Sequence, residues 1–338
     1  MAKRAPKNPP RGPHQPRVIH VDQSLAKLSL VAALHQLLDL SWGQARQLIE
    51  TRHIQVNGTL CLDAGRRVAV GEVLHVFTHP LAVPPHEENV KIRFIDEHVV
   101  VVEKPSGMTT LRHPEELFWP AERRQRQPTL EECLNRIIAK RERPRSGGQK
   151  NPPRVRPVHR LDRDTSGLMV FARSVKAERF LVGQFSQHTV VRRYQAIVAG
   201  PIEAMTIDTV LVRDRGDGRR GSSEPDQEDQ GKRAITHVRA IEALDGFTLV
   251  ECRLETGRTH QIRIHLSEKG HPVCGDKVYS TKRFAKSKSD ISGAPRLALH
   301  ACELGFTHPV SQETLYFEWP LPQDLSVFLR GLRDRKMK

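Results

Sequence analysis

Residues 159–167 place an acidic side chain, Asp162, between two arginines at the start of a Thr-Ser-Gly turn. The apolar residues 168–172 follow directly, so the turn leads into a strand that we predict to be buried. The flanking guanidinium groups would favour the ionised carboxylate. An alternative, from these residues alone, is that Asp162 and Asp164 are turn or capping acids with surface partners.

The charge balance of the chain indicates a polyanionic partner. Its 338 residues include 54 Lys and Arg against 39 Asp and Glu, a formal net charge of +15. Nucleic acid fits this excess first and an anionic membrane second. We expect no membrane association, because the longest apolar runs fall far short of the roughly 18–20 residues that span a bilayer. The length allows two or three domains.

Cysteine usage and the start of the chain bear on the compartment. The five cysteines are scattered, with no Cys-x-x-Cys pair, which argues against a zinc site and against a disulfide framework. No apolar segment typical of a secretory signal follows the start. We therefore expect a cytoplasmic protein. Residues 1–18 are basic and rich in proline, and we predict a disordered tail that adds phosphate contacts.

Residues 19–79 are predicted to form a small αβ domain. Leucines from Leu30 onwards follow one helix face, and Ser41 with Gln44 has the spacing of a capping box at the start of a second helix. The alternating residues 54–56 then end in Asn57-Gly58, a strong signal for a hairpin. This arrangement resembles an S4 domain, a small RNA-binding module.

The S4 resemblance implies that this domain contacts RNA. It would place four arginines near an RNA backbone, and such charges position RNA without recognising its sequence. They are Arg46, Arg52, Arg66 and Arg67. The alternative is a generic αβ unit that serves only for packing. Residues 80–90, rich in proline at the start, are predicted to be a linker to a larger domain over residues 91–333.

The pattern of the larger domain alternates strands with a few helices. We predict helices at residues 129–140, after Ser174, from a Thr259 cap and over residues 321–333. Strands are predicted at residues 92–94, 99–102, 192–200, 247–254, 297–301 and 314–319. The basic residues 112–156 and the polar residues 214–232 are interpreted largely as loops.

Three separated segments of this domain resemble the RluA-type pseudouridine synthases. Residues 159–167 match the family pattern His-Arg-Leu-Asp-x-x-Thr-Ser-Gly, and Arg193-Tyr194-x-Ala196 and residues 257–265 match two further motifs. With the opening strands, the resemblance covers residues 92–322. It implies an α+β fold with a mostly antiparallel mixed sheet. It also implies isomerisation of uridine to pseudouridine in RNA, without a cofactor or metal.

The family motifs also imply roles for individual residues. Asp162 would be the catalytic carboxylate, which either adds to C1′ or abstracts a C2′ proton. Arg263 would pair with it through a bidentate guanidinium, and Tyr194 would stack on the target base. Arg160 would fill the space that the flipped base leaves, and Arg258 would bind substrate. We interpret His159 and His265 as structural hydrogen-bonding residues, and Asp164 as a turn acid.

Several functional alternatives remain at this point. An S4-like module favours large-subunit ribosomal RNA as substrate, with tRNA as the alternative. A non-catalytic RNA-binding or ribosome-assembly factor is the rival from another class, although Asp162, Tyr194 and Arg263 count against it. An RNA methyltransferase is disfavoured because no glycine-rich nucleotide-binding turn follows a predicted strand. We expect a monomer.

Overall fold

The computed structural model describes residues 17–57, 59–77, 85–142, 154–214, 220–223, 231–279, 290 and 292–336. The chain divides into two compact units, residues 1–83 and 84–338, and the division falls within the predicted linker. In these described ranges, no helix has the length and apolar character needed to cross a bilayer.

The N-terminal unit combines two helices with a small antiparallel sheet. The helices are α1 (Leu30–Leu38) and α2 (Trp42–Glu50), and the strands are β1 (Arg17–His20), β2 (Ile54–Val56), β3 (Thr59–Leu60) and β4 (Val73–Val76), in the order β1-β4-β2-β3. The Ser41–Gln44 capping box is present as predicted. The predicted tail is wrong at its end, because Arg17 and Val18 pair with β4; residues 1–16 lie outside the described ranges.

The second unit is built on one large sheet. Its strands are β5 (Lys91–Ile95), β6 (Val99–Lys104), β7 (Arg156–Pro157), β8 (Ser166–Ala172), β9 (Val191–Ala199), β10 (Met205–Val212), β11 (Gly221–Ser222), β12 (Lys232–Ala243), β13 (Phe247–Leu254), β14 (Leu299–Thr307) and β15 (Thr314–Glu318). The main order is β11-β10-β12-β13-β9-β14-β8-β6-β5, with β15 beside β14 and β7 beside β8. Among the described strands only β14 and β8 pair in parallel, so the sheet is mostly antiparallel, as predicted.

Five helices accompany this sheet: α3 (Ala121–Arg126), α4 (Leu130–Arg141), α5 (Val175–Ser186), α6 (Gln261–Glu268) and α7 (Gln323–Lys336). Ser174 caps α5 through its hydroxyl group, as predicted, and Thr129 caps α4 in the same way. The predicted Thr259 cap is wrong. His260, with a left-handed backbone (φ 61°), precedes α6, and no side chain caps that helix.

Strand β8 explains why the apolar run after the Ser-Gly turn is continuous. Met169 and Phe171 pack in the cluster that contains residues of α4, whereas Leu168, Val170 and Ala172 pack in the cluster that contains residues of α5. Successive side chains of a strand point to opposite faces, so a strand covered on both faces needs apolar residues at every position. The loop before β8 therefore starts from a strand that is fixed on both sides.

The basic stretch 112–156 is more ordered than we predicted. Besides α3 and α4 it contains a short 3₁₀ helix, and the buried Arg112 guanidinium donates to both carboxylate oxygens of Glu132. Residues 143–153 lie outside the described ranges. Of the predicted loop at residues 214–232, the described part includes β11, which pairs with β10.

Candidate active site

The loop that carries Asp162 is held in place by the end of β6 and the segment that follows it. The buried Lys104 ammonium donates to the carbonyl oxygens of Pro105, Arg163 and Thr165 at 2.9, 2.9 and 2.7 Å. Burial lowers the pKa of Lys104 to about 7, although the charges of Asp164 and Asp162 oppose the shift. Sequence reasoning missed this contact, because a lysine beside proline usually marks an exposed turn.

Two hydroxyl groups of the same segment complete the support. Ser106 Oγ donates to the Asp164 carbonyl oxygen at 2.6 Å, and Thr110 Oγ1 donates to that of Leu161 at 2.8 Å. Together with the Lys104 bonds, these contacts satisfy four carbonyl oxygens around Asp162, those of Leu161, Arg163, Asp164 and Thr165. The backbone of the loop is thereby fixed, and the Asp162 carboxylate is aimed by it.

Gly167 is required by the close approach of β14. It has φ +146°, and a Cβ atom there would lie 2.3 Å from the Cβ of Ala301. Ala301 pairs with Gly167 on one side and with Tyr194 of β9 on the other. A side chain at position 167 would push apart the strands that carry the aspartate and the tyrosine.

Arg263 lies beside Asp162, but the predicted bidentate pairing between them is wrong. Its Nε and Nη2 donate to the two carboxylate oxygens of the fully buried Asp276 at 2.7 and 2.9 Å. The remaining nitrogen, Nη1, lies 3.6 Å from Asp162 Oδ2. Two of the three guanidinium nitrogens therefore donate to Asp276, and the third faces Asp162.

The surroundings of Arg263 keep its charge. Burial lowers the pKa of Arg263, but the hydrogen bonds and charge of Asp276, together with Asp162, outweigh it and raise the pKa above the usual value. The guanidinium carbon also lies 5.1 Å from the centre of the Tyr279 ring. Asp276 in turn accepts from the backbone N–H groups of Val278 and Tyr279.

A histidine that the sequence analysis did not single out also faces Asp162. The Nε2 atom of His260 lies 3.9 Å from Asp162 Oδ1, and its Nδ1 is 2.8 Å from the Tyr279 hydroxyl oxygen. Burial lowers the pKa of His260, which the charge of Asp162 opposes. The sequence signal that could have indicated the partners of His260 and Arg263 is Gly275-Asp276-x-x-Tyr279. There an acid and an aromatic residue follow a glycine at a turn.

Tyr194 is buried on β9 and lines the same pocket as Asp162 and Arg263. Burial raises the pKa of its phenol. The pocket has a volume of about 480 Å³, within the roughly 300–1,000 Å³ typical of ligand sites. The structure therefore brings the three predicted catalytic residues together around one cavity.

The predicted substrate-binding arginines fall in two places. Arg160 and Arg258 are exposed and line the pocket. Within the described part of the chain the Arg160 side chain has no hydrogen-bond or ion-pair partner, whereas Arg258 Nε donates to a backbone carbonyl oxygen. Arg46 is exposed on α2 and Arg52 is partly exposed just after it, both in the N-terminal unit.

The remaining polar residues of the motifs have internal partners. His159 Nε2 accepts from the Val170 N–H, and the fully buried His265 contacts the hydroxyl groups of Thr209 and Thr236. Both agree with our structural interpretation. Asp164 forms an ion pair with the adjacent Arg163, so the Arg163 guanidinium binds Asp164 rather than Asp162.

The comparisons with known proteins agree with this geometry. A family model described as RNA pseudouridylate synthase matches residues 98–268, and a model of the S4 domain matches residues 30–74. The chain therefore belongs to the RNA pseudouridylate synthase family and is an RNA pseudouridine synthase with an N-terminal S4 domain. Both family resemblances of the sequence are confirmed.

Individual relatives cover most of the chain. The ribosomal large subunit pseudouridine synthase D of Nitrosomonas europaea is 35% identical over 324 residues, which are 93% of this chain and 87% of the relative. The protein of the same name from Zymomonas mobilis is 39% identical over 259 residues, 75% of this chain and 77% of the relative. The solved structure of human RNA pseudouridylate synthase domain containing 4 has a TM-score of 0.55 at 25% identity and covers 72% of this chain and 92% of its own.

Proposed function

We propose that this synthase converts uridine to pseudouridine in large-subunit ribosomal RNA, in the cytoplasm, with Asp162 as its catalytic carboxylate. One observation carries the assignment of Asp162. Its side chain, 16% exposed, borders the pocket that Tyr194 also lines, and it lies 3.6 Å from the cationic edge of Arg263. An anion held there is poised against a sugar and base that enter the pocket.

The reaction needs a carboxylate at this place. The bond between N1 and C1′ breaks, the uracil turns, and C5 bonds to C1′; C5 then loses its proton and N1 gains one, so the atoms balance. Asp162 either adds to C1′ or takes a C2′ proton, and both routes use an ionised acid beside the ribose. Arg263 Nη1 faces the Asp162 carboxylate at 3.6 Å, although the other two guanidinium nitrogens donate to Asp276.

Other pocket residues have roles in binding the extruded nucleotide. The Tyr194 ring stacks on the flipped uracil, because a planar base matches an aromatic face. Extrusion costs a few kcal/mol of lost stacking and pairing. Arg160, which is exposed at the pocket, fills the space that the base leaves, and Arg258 contacts the RNA near the pocket. Arg46 and Arg52 of the S4 domain add phosphate contacts.

The choice of ribosomal RNA is supported by the relatives rather than by the pocket. Those that cover most of the chain carry large-subunit ribosomal RNA synthase in their names. The pocket itself recognises one nucleotide and its charge, which both ribosomal RNA and tRNA offer. Incubation with each RNA separately therefore distinguishes the two substrates.

Tritium release tests both proposals. The protein and an Asp162→Ala variant are incubated separately with large-subunit ribosomal RNA and with tRNA, each labelled with tritium at uracil C5. We expect release from the ribosomal RNA with the unaltered protein and none with the variant. Release from tRNA alone would overturn the substrate, and equal release by the variant would overturn the role of Asp162.

A further inference from the structure

The pocket extends beyond the residues that the isomerisation uses. One wall is the C-terminal part of α5, which contributes Val182, Phe185 and Ser186, followed by His188. This wall is continuous with the cavity of Asp162 and Tyr194, and nothing in the chemistry of one uridine requires it. Val182 is 45% exposed, so an apolar side chain faces solvent beside a charged site.

Phe185 in this wall is held rigidly by its neighbours. Its ring stacks on His159 with centroids 4.5 Å apart, and the Arg192 guanidinium carbon lies 5.4 Å from its centre. Val182 lies three residues earlier on the same helix face. Val182 and Phe185 together form an apolar surface, and the Arg192 guanidinium lies over the Phe185 ring.

The charges around this wall favour a phosphate. Arg160 and Arg192 both line the pocket, and Asp162 is the one acid among its described lining residues. Arg192 gives hydrogen bonds to the carbonyl oxygens of Leu254 and Glu255 through Nη2, which fixes it in place without neutralising its charge. An anion can approach this part of the pocket without meeting a carboxylate other than Asp162.

We propose that the α5 wall is a subsite for the nucleotide next to the target uridine. Its base packs on Val182 and Phe185, and its phosphate is bound by Arg192. A uridine extruded from RNA stays linked to both neighbours, and the neighbour that loses its stacking partner exposes an apolar face. The wall offers that base a replacement surface. This inference rests on the proposed function and adds recognition of a flanking nucleotide to it.

A nucleotide fits this wall better than a protein segment. The apolar surface is small, it is flanked by two arginines, and it opens directly into the cavity of the target base. Base stacking on such platforms combines with backbone contacts to cations in single-stranded RNA recognition. The same geometry provides affinity for a neighbouring base without a hydrogen bond to its edge.

Two substitutions on the same helix test the subsite. Val182→Ser removes apolar surface from the wall, and Val175→Ser is its control, because Val175 is also 45% exposed on α5 but does not line the pocket. The substrate is an RNA hairpin that contains the target uridine. We expect Val182→Ser to raise KM about fivefold with kcat unchanged, and Val175→Ser to stay within about twofold of the unaltered protein.

Substrates that lack one flanking base complete the test. The hairpin is made with an abasic residue either 5′ or 3′ of the target. We expect one of the two to raise KM for the unaltered protein and to remove the difference between the Val182 and Val175 variants. If the variants do not differ on the intact hairpin, or if neither abasic hairpin removes the difference, the subsite is overturned. Tritium release would still proceed in that case, which separates this failure from a failure of the proposed function.

Discussion

The floor of the pocket (Asp162, His260 and Arg263, with Asp276 and Tyr279 buried behind them) and its rim (Arg160 and Arg258) use charged side chains in opposite ways. On the floor, Arg263 is committed to Asp276 and the His260 ring to Tyr279, and both present one remaining edge to Asp162. On the rim, no acidic partner of either arginine is present in the described ranges. The contacts of the floor are thus fixed within the protein, and we expect the rim arginines to be available to RNA.

This difference separates two measurable quantities. Changes on the floor alter the position of Asp162 and should lower kcat, whereas changes on the rim alter the attraction for RNA and should raise KM. The largest expected effect is at Asp162 itself. Asp162→Asn keeps the shape of the side chain and removes its charge, so we expect kcat to fall by about 10⁴-fold in the tritium-release assay.

Asp164→Asn is the matched control for that substitution. Asp164 lies on the same loop and pairs with the adjacent Arg163, outside the contacts of the floor. This variant should keep most of its activity. Equal losses of kcat in the two variants would show that any change of charge on this loop impairs the enzyme. The proposed catalytic role of Asp162 would then be wrong.

Asp276→Asn should have the next largest effect. The substitution removes the negative charge and one of the two acceptor oxygens that bind the buried Arg263. We therefore expect the guanidinium to shift towards Asp162 and kcat to fall by about 10²-fold. The free energy of unfolding should also fall, by up to about 3–5 kcal/mol, because a buried charge loses its partner. Single-turnover kinetics and chemical denaturation measure the two effects.

Glu142→Gln separates stability from catalysis. Glu142 accepts two hydrogen bonds, both of 2.7 Å, from the buried Arg173, and neither residue lines the pocket. Glu142 is 36% exposed, so this variant should be destabilised less than Asp276→Asn, and it should keep kcat when folded. A comparable loss of kcat would mean that Asp276 acts only through stability.

The enclosed histidine of α6 should make the protein sensitive to acid. Burial lowers the pKa of His265 to about 4. The unfolded chain then binds a proton near pH 6.5 that the folded chain does not, so the stability contribution is complete above pH 6.5 and decreases as the pH falls towards 4. At pH 5 the loss is about 2 kcal/mol.

His265→Gln tests this dependence. Urea unfolding from pH 7 to 4.5 should show a smaller decrease in stability for His265→Gln than for the unaltered protein. His113→Gln, at an exposed position, should leave the decrease unchanged. An unaltered pH profile in the His265 variant would indicate that His265 binds a proton as readily in the folded chain as in the unfolded one.

The smallest effect is expected on the rim. Arg160→Gln should raise KM about tenfold at constant kcat and should reduce the slope of log affinity against log salt by about one. Arg330→Gln, exposed on α7 and not part of the pocket lining, is the control and should change neither. A fall in kcat at constant KM would place Arg160 with the floor and would remove the distinction between the two regions.

The parts of this protein that were predictable from sequence depend on nearby residues. The caps at Ser41, Thr129 and Ser174 involve residues three positions away, so their spacing identifies them. The burial of both faces of β8 follows from its uninterrupted apolar run. The family motifs located Asp162, Tyr194 and Arg263, and the structure places these residues around one pocket.

The parts that could not be predicted depend on distant contacts. Lys104 reaches carbonyl oxygens 59 and 61 residues away, and no local pattern shows that its ammonium is buried. Asp276 competes for Arg263 from beyond the end of α6. The predicted Thr259 cap is wrong because Gln261 stabilises this turn instead. Its side-chain oxygen accepts hydrogen bonds from the Arg258 N–H and from the Thr256 hydroxyl group.

Strand β14 has a consequence for when the enzyme becomes active during its synthesis. It is the strand between β8, which follows the Asp162 loop, and β9, which carries Tyr194. It ends at Thr307 of 338 residues, whereas both of its neighbours are made more than 90 residues earlier. Domains fold from the N-terminus as the ribosome adds residues. The nascent chain therefore carries Asp162 and Tyr194 long before translation supplies the strand that joins their strands.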